Sequence, residues 1–256
     1  MSILDDDATV LKKTEEYVNE EMIRLFLKNQ LSPHLVDELI KTLIDEFMKN
    51  RFVNKRDASY DFCYLYFQRN RHNKVQFGGQ NMESSCMHLW SYLASWGMLR
   101  NSPLMGLSPA ALKPLISYFD SIQGSGVWDA DVDTYNKYKK DILDVYREIT
   151  AKLDIIMGKK PRITLVTKIM LGVFGCVPAI DSNFYKTFHL LYGGFGVLGQ
   201  KELTNIENFY QQHIKVINKI SIQVMDFDGN PITYYYYKKA KLIDMFGFIV
   251  GQHVKP

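Results

Sequence analysis

The chain has 256 residues, of which 46% are hydrophobic and 13% aromatic, enough to bury a substantial core. Its net charge of +3 is too small to indicate a general polyanion-binding protein, and no window of about 18 uncharged apolar residues predicts a membrane span. Cys63, Cys86 and Cys176 lack CxxC spacing, which argues against a zinc site and favours reduced core thiols.

The first 50 residues hold 6 Lys and Arg against 11 Asp and Glu, a net charge of −5, and lack the apolar stretch of a signal peptide. We therefore expect a cytoplasmic protein without a membrane partner. Helical spacing predicts an amphipathic helix over about residues 8–28 and a second helix that Ser32 caps and Pro33 begins. Buried helices are predicted within "ASYDFCYLYFQRN" and "NMESSCMHLWSYLASWGML", and another helix starts at Ser108.

The second half of the chain is also mostly helical in pattern. A long polar-faced helix is predicted over about residues 131–157, and two further helices lie within "ELTNIENFYQQHIKVINKI" and "YYYYKKAKLIDMFGFIVG". Strand-like alternation occurs only near "SIQVMDFDGNPITYYYY", where Asp-Gly-Asn-Pro predicts a turn. We therefore predict an all-α, compact multi-helix globule with residues 1–256 in one domain; periodicity leaves open whether two lobes surround a cleft.

Residues 51–256 hold 25 Lys and Arg against 17 Asp and Glu, a net charge of +8. The excess is concentrated in "RFVNKRD" and "QRNRHNK" within residues 51–74, and in "GKKPRITLVTK" at 158–168. No acid occurs between Asp154 and Asp181. Such a bias is typical either of a solvated face or of a local phosphate-facing surface.

Residues 158–193 contain the most apolar part of the sequence. A helix beginning at Pro161 or Arg162 carries one charge, Lys168, and we expect Gly172 and Gly175 to end it. Val177-Pro178 then predicts an extended link, and Asp181 or Ser182 caps the next helix.

Two interpretations of Asp181 are open. It is a helix N-cap, or it is a fixed and partly desolvated anion which, with Lys168, stabilises a developing cation or positions a nucleophile. Lys168 also has a purely structural interpretation, in which its aliphatic chain is buried and its ammonium group reaches the solvent at the edge of the core.

The segment "LVTKIMLGVFGCVPAIDSNFYKTF" resembles the helix-hairpin-helix superfamily of DNA glycosylases, in which a hairpin and a helix precede a Val-Pro-x-x-Asp link. The resemblance covers about 30 residues and implies that Asp181 supports base excision and that Lys168 is the amine of a lyase route. The family hairpin usually reads Leu-Pro-Gly-Val-Gly. Because this chain has "GKKPRIT" there, phosphate contacts would come from Lys159, Lys160 or Arg162. A group of bacterial proteins with "YLASWGM", "FGCVPA-D" and "KLIDM"-like segments resembles the chain more closely and implies no activity.

The resemblance further implies duplex DNA with a flipped base as partner. We expect no cofactor and no metal, because no cysteine cluster for an iron–sulfur centre follows the segment, and in this respect the chain departs from the family. The aromatic residues of the helical stretches are candidates for the base pocket: Trp90, Trp96 and Tyr64. Gln80 and Asn81, in a Gly-Gly-Gln-Asn loop, would fill the gap left by the base or read its edge. Aromatic stripes are also typical of a core, and the loop is equally explained as a turn and helix cap.

Three functions follow from the sequence. The first is a DNA glycosylase-like protein that excises damaged or modified bases, in repair or in antiviral defence. The second is a nucleic-acid-binding protein on the same scaffold without the chemistry, favoured by the missing hairpin glycines. The third is a helical interaction or regulatory protein whose acidic first 50 residues contact a partner.

Overall fold

The computed structural model describes residues 19–100 and 102–254, and the predicted all-α class is confirmed for them. The first described helix, α1, covers residues 19–27, so the part of its predicted span before residue 19 lies outside the described residues. The other helices of the first half are α2 (Pro33–Lys49), α3 (Ala58–His72), α4 (Met82–Ser95) and α5 (Lys113–Ser121). As predicted, the Ser32 side chain caps α2 with Pro33 in its first turn.

Among the described residues, the second half contains six α-helices and a two-stranded antiparallel sheet. The helices are α6 (Tyr135–Met157), α7 (Ile163–Phe174), α8 (Ser182–Tyr192), α9 (Gln200–Gln212), α10 (Ile214–Ile217) and α11 (Lys239–Gln252). Strands β1 (Gln223–Met225) and β2 (Pro231–Tyr236) form the sheet, at the position of the predicted alternation. Among the described helices, none is long and apolar enough to cross a bilayer.

Helix α7 lies at the centre of the fold, because every residue from Leu165 to Phe174 is buried. It contacts α3, α4 and α6, while α11 packs along α8 and against α2. Gly172 and Gly175 were expected to end α7. Gly175 is its left-handed C-cap, as expected, but the expectation for Gly172 is wrong, because the helix continues through it to Phe174. A Cβ at Gly172 would lie 2.4 Å from the Tyr92 ring of α4, so this glycine permits close packing between helices.

The three cysteines are unpaired and buried, as expected for core thiols. A half-buried lysine joins three parts of this core. Lys238 precedes α11, and its ammonium donates hydrogen bonds to the carbonyl oxygens of Trp128 at 2.7 Å, Ala130 at 3.0 Å and Phe174 at 2.9 Å. Burial lowers the pKa of Lys238, and the three acceptors satisfy its three N–H groups. It thereby holds the end of α7 against the start of α11.

Candidate functional site

The two residues singled out by the sequence form an ion pair. Lys168 lies on α7 and Asp181 precedes α8, and the distance from Lys168 Nζ to Asp181 Oδ2 is 3.1 Å. The Lys168 side chain is 4% exposed and that of Asp181 is 13% exposed. The contact is therefore largely desolvated on the lysine side, whereas the carboxylate keeps partial access to solvent.

Asp181 is also the N-cap of α8. Its second oxygen, Oδ1, accepts hydrogen bonds from the backbone N–H groups of Asn183 at 3.1 Å and Phe184 at 3.0 Å. The backbone at Asp181 is extended, as N-cap residues usually are. The two interpretations of this residue are thus compatible, because one oxygen caps the helix while the other contacts the ammonium.

The link that carries Asp181 is held by side chains of the helices around it. Residues 176–180 are buried throughout. Thr167 Oγ1 accepts a hydrogen bond from the Ile180 N–H at 2.9 Å, and Asp244 Oδ1 accepts one from the Ala179 N–H at 3.0 Å. The carboxylate of Asp181 therefore projects from a backbone that is fixed on both sides.

Asp244 belongs to a second buried ion pair, which sequence reasoning missed. Lys241 Nζ lies 2.8 Å from Asp244 Oδ2, and the two side chains, both on α11, are 4% and 8% exposed. The signal was available in "KLIDM", where a lysine and an aspartate stand three residues apart in an otherwise apolar helix. This spacing places both on one helix face.

Trp96 joins the two ion pairs. Its ring centroid lies 4.5 Å from Lys168 Nζ and 5.7 Å from Lys241 Nζ, both within the range of cation–π attraction. The guanidinium of exposed Arg56 lies 4.7 Å from the same ring. Trp96 is half-buried, and its indole N–H is buried without a hydrogen-bond partner among the described residues. The donor is free to bind an acceptor that enters this site.

Tyrosine rings form the floor of the charged cluster. Lys241 Nζ lies 4.7 Å from the ring centroid of Tyr60, which stacks on Tyr64 at 5.4 Å. Burial raises the pKa of Tyr60 and of Tyr92 well above the usual range, so both remain neutral phenols. Tyr64 is 4% exposed, and its ring contacts that of Tyr60. Of the three predicted base-pocket residues, Trp96 contacts the Lys168–Asp181 pair directly.

Within the described chain, the other predicted residues on or before α4 form no hydrogen bond or cation–π contact with the Lys168–Asp181 pair: Trp90 lies within α4, and the Gly-Gly-Gln-Asn loop precedes it. Trp90 is half-buried and packs against the core. Gln80 and Asn81 precede the first residue of α4, whereas Trp96 follows its last. At about 1.5 Å per residue, the 14 residues of α4 separate the loop from Trp96 by about 20 Å. The Asn81 side chain donates to the Gln76 carbonyl oxygen at 2.9 Å and thereby closes the loop.

Lys159, Lys160 and Arg162 are exposed in the turn before α7. Arg162 is the N-cap residue of α7 and stands six positions before Lys168, a rise of about 9 Å along the helix. The basic turn and the Lys168–Asp181 pair are therefore presented by one helix, the first at its start and the second at its middle.

No group of three His, Cys, Asp or Glu side chains able to hold a metal ion is found within residues 19–100 and 102–254. The charged cluster contains two ammonium groups and two carboxylates, of which Asp181 is the more exposed. A carboxylate of this kind can stabilise a cation or orient a water, and the neighbouring amine can act as a nucleophile.

No protein family, no curated protein and no solved structure matches the chain. The geometry of the cluster, together with the short segment around residues 158–193, therefore carries the functional argument.

Proposed function

We propose that the protein is a DNA glycosylase-like protein that excises damaged or modified bases from DNA. The observation that supports this most is the 3.1 Å contact between Lys168 and Asp181 at the start of α8. The exposed basic turn at Lys159 and Lys160 supports it further, because cations on the same helix start are suited to phosphate contacts.

In the proposed reaction, the bond between the sugar C1′ and the base nitrogen breaks, and its electron pair leaves with the base. Asp181 stabilises the positive charge that develops on the sugar and orients a water molecule. The water oxygen forms the new bond to C1′, and its proton is transferred to the departing base. In the lyase route, the Lys168 ammonium first transfers a proton to Asp181, and the free amine replaces water as the nucleophile at C1′. A second proton of this nitrogen goes to the departing base. The C1′–O4′ bond then opens as the C1′=N bond of the Schiff base forms, and O4′ takes the proton held by Asp181.

Trp96 has the position and chemistry of a stacking surface for the extruded base. Its ring is half-buried beside Lys168, and its indole N–H has no partner among the described residues. Arg56 is exposed and held near the ring by a cation–π contact and by a 3.9 Å contact with Asp57. Movement of this side chain uncovers the ring, and a base then stacks in place of the guanidinium.

A second candidate is a nucleic-acid-binding protein that uses the same scaffold without base excision. The hydrogen bonds of Asp181 favour it: Oδ1 accepts from two backbone N–H groups and Oδ2 contacts Lys168. Both oxygens thus have structural partners, which is sufficient to explain an aspartate here as a cap and an ion-pair member.

The experiment uses oligonucleotides containing uracil, oxidised, alkylated or hypermodified bases, followed by cleavage of the abasic sites formed. We expect base release from at least one substrate. Asp181→Asn should reduce it by about 100-fold or more while DNA binding is retained, because asparagine is also a good N-cap and preserves α8. Asp226→Asn is the matched control, since Asp226 likewise accepts from backbone N–H groups but in the turn before β2.

Borohydride trapping separates the two chemical routes. A covalent adduct that disappears in Lys168→Ala supports the lysine route, and base release without an adduct supports the water route. If the folded protein releases no base from any substrate, the enzymatic proposal is wrong. Retention on heparin that falls steeply with salt would then favour the binding protein.

A further inference from the structure

Two adjoining cavities lie at the C-terminal end of α3, away from the charged cluster. They have volumes of about 340 and 430 Å³, and Arg71 and His72 line both. Arg56, whose guanidinium lies over Trp96 beside the charged cluster, precedes α3, and Arg71 is near the end of this helix. The 15 residues of α3 therefore separate the two places by about 22 Å. We refer to the two cavities together as the tyrosine cleft, because residues 234–237 line one of them.

The tyrosines reach the cleft through an irregularity in β2. Gln223 pairs with Tyr236 and Met225 with Pro231, so one residue lies between these pairs on β1 and four, residues 232–235, lie between them on β2. The longer strand therefore bulges away from the shorter one. Tyr234 has a φ of 74°, which is unusual for an aromatic residue, and its side chain is 89% exposed. A strained backbone that exposes a large aromatic side chain is typical of a binding site.

Cationic groups line the same cleft. Arg71 uses three of its five N–H donors: two bind the Asp129 carboxylate at 2.7 and 3.0 Å, and Nε binds the Gln123 carbonyl oxygen at 3.5 Å. Two donors are left for a phosphate. Lys74 is exposed and forms no side-chain hydrogen bond or ion pair with any residue of the described chain. His72 contacts Tyr235 edge-to-face, with ring centroids 6.5 Å apart.

The acidic groups of the cleft are already occupied by partners. The two oxygens of Asp131 accept from the backbone N–H groups of Val132, Lys239 and Ala240, which caps α11. The Asp129 carboxylate is bound by Arg71, whose hydrogen bonds lower the pKa of Asp129. The exposed side of the cleft therefore offers donors and positive charge together with aromatic faces.

We propose that the tyrosine cleft binds single-stranded nucleic acid, with bases stacked on Tyr234 and Tyr236 and phosphates bound by Arg71 and Lys74. Exposed aromatic faces beside a cationic groove form the usual site for single strands, because every base can stack on them. Each cavity is as large as a small-molecule site, so the two together accommodate more than one nucleotide. An acidic peptide would use the cations but leave the exposed rings without stacking partners.

The test measures the fluorescence anisotropy of a labelled 12-residue single-stranded DNA without modified bases, bound to the full chain. Tyr234→Ala combined with Tyr236→Ala should weaken binding by at least about 10-fold, and the corresponding Phe variants should restore it, because the ring is retained. Lys74→Ala should weaken binding. It should also make the slope of log affinity against log salt concentration less steep, by about the amount that one phosphate contact contributes. Phe52→Ala and Lys201→Ala remove an exposed ring and an exposed cation elsewhere and are the controls.

Circular dichroism of each variant verifies the fold; these side chains are exposed, so we expect no loss of structure. The proposal is overturned if the wild-type protein does not bind the oligonucleotide. This is also the result expected if the tyrosine cleft binds a protein partner instead of nucleic acid. It is also overturned if binding survives the Tyr→Ala changes but is lost when Lys159 and Lys160 are replaced. The measurement needs no base release, so it is independent of the outcome at Asp181.

Discussion

The contact between Lys168 and Asp181 makes a quantitative prediction about stability. In Asp181→Ala, α8 loses its cap, which costs about 1 kcal/mol, and Lys168 is left as a buried ammonium without its carboxylate. Removing one partner of a buried ion pair usually costs about 3–5 kcal/mol, and the Lys168 side chain is only 4% exposed. Lys168→Met should cost less, about 2 kcal/mol, because Asp181 keeps two backbone donors and some solvent.

The double variant, Lys168→Met with Asp181→Asn, removes both charges and keeps both the side-chain volume and the cap. We expect it to lie within about 1 kcal/mol of wild type, since apolar replacement of a buried pair is often neutral. The measurement is a double-mutant cycle based on urea unfolding, followed by tryptophan fluorescence and far-UV circular dichroism. The variants are compared by their unfolding midpoints, provided that the slope of the unfolding free energy against urea concentration is the same for all of them. The other single variant of this cycle is Asp181→Asn, which keeps the cap and should cost about 3 kcal/mol, because it leaves the buried ammonium without a charged partner. With about 2 kcal/mol for Lys168→Met and about 1 kcal/mol or less for the double variant, the coupling free energy should be about 4 kcal/mol.

A second ion pair provides the matched control. Arg147 and Asp144 on α6 are 2.8 Å apart, closer than Lys168 and Asp181, but their side chains are 70% and 46% exposed. Removing either should change the unfolding free energy by about 0.5 kcal/mol or less. If the Lys168 and Asp181 single variants also cost under about 1 kcal/mol and are additive, the ammonium is solvated and the described desolvation of the pair is wrong.

Two other buried positions make independent predictions. Burial raises the pKa of Asp61 from 3.8 to about 6, despite the hydrogen bond that Tyr237 donates to it. The folded state therefore holds the Asp61 proton more tightly than the unfolded state does. The protonated carboxyl contributes about 3 kcal/mol to the free energy of unfolding below pH 4, and this contribution is lost as the pH rises through 6. Asp61→Asn should remove that loss in urea unfolding between pH 4 and 7, and an unchanged pH profile would contradict it. In Gly251→Ala, the new Cβ would lie 2.0 Å from the Asn183 carbonyl oxygen in the first turn of α8. We therefore expect the Tm to fall by about 5 °C or more. The control is Gly196→Ala, which should leave the Tm unchanged because the space around Gly196 is open. Equal Tm values for the two glycine variants would show that α8 and α11 do not pack this closely.

Helix starts could be predicted from the sequence because their determinants are local. Ser32 and Asp181 each cap the helix that follows, and both signals lie within three residues of the N–H groups they bind. The glycine that ends α7 was also predictable locally, because Gly175 adopts the left-handed conformation directly after the last residue of the helix, whereas Gly172 was wrongly expected to end it because its role depends on a distant residue. Gly172 permits packing against Tyr92, a residue 80 positions earlier, and no local pattern distinguishes such a glycine from one that ends a helix.

The difference between local and distant determinants also explains which residues of the candidate site could be predicted from the sequence. Lys168 and Asp181 lie 13 residues apart in one unusual segment, so the sequence indicated them together. Lys241 and Asp244 come from α11 and Trp96 from α4, and only the packing of these helices against α7 and α8 brings them to the pair. The segment "YLASWGM" supplies Trp96, "KLIDM" supplies Lys241 and Asp244, and Asp181 ends the segment "FGCVPAID".

The second ion pair has a positioning role in addition to any effect on stability. Burying four charged groups beside one another requires their removal from water, and such pairs rarely stabilise a fold more than apolar residues of the same volume. Asp244 has an additional role, because it binds the Ala179 N–H two residues before Asp181. Lys241 neutralises Asp244 and lies against Trp96 and Tyr60. The second pair thus fixes the backbone on which the more exposed carboxylate, that of Asp181, stands.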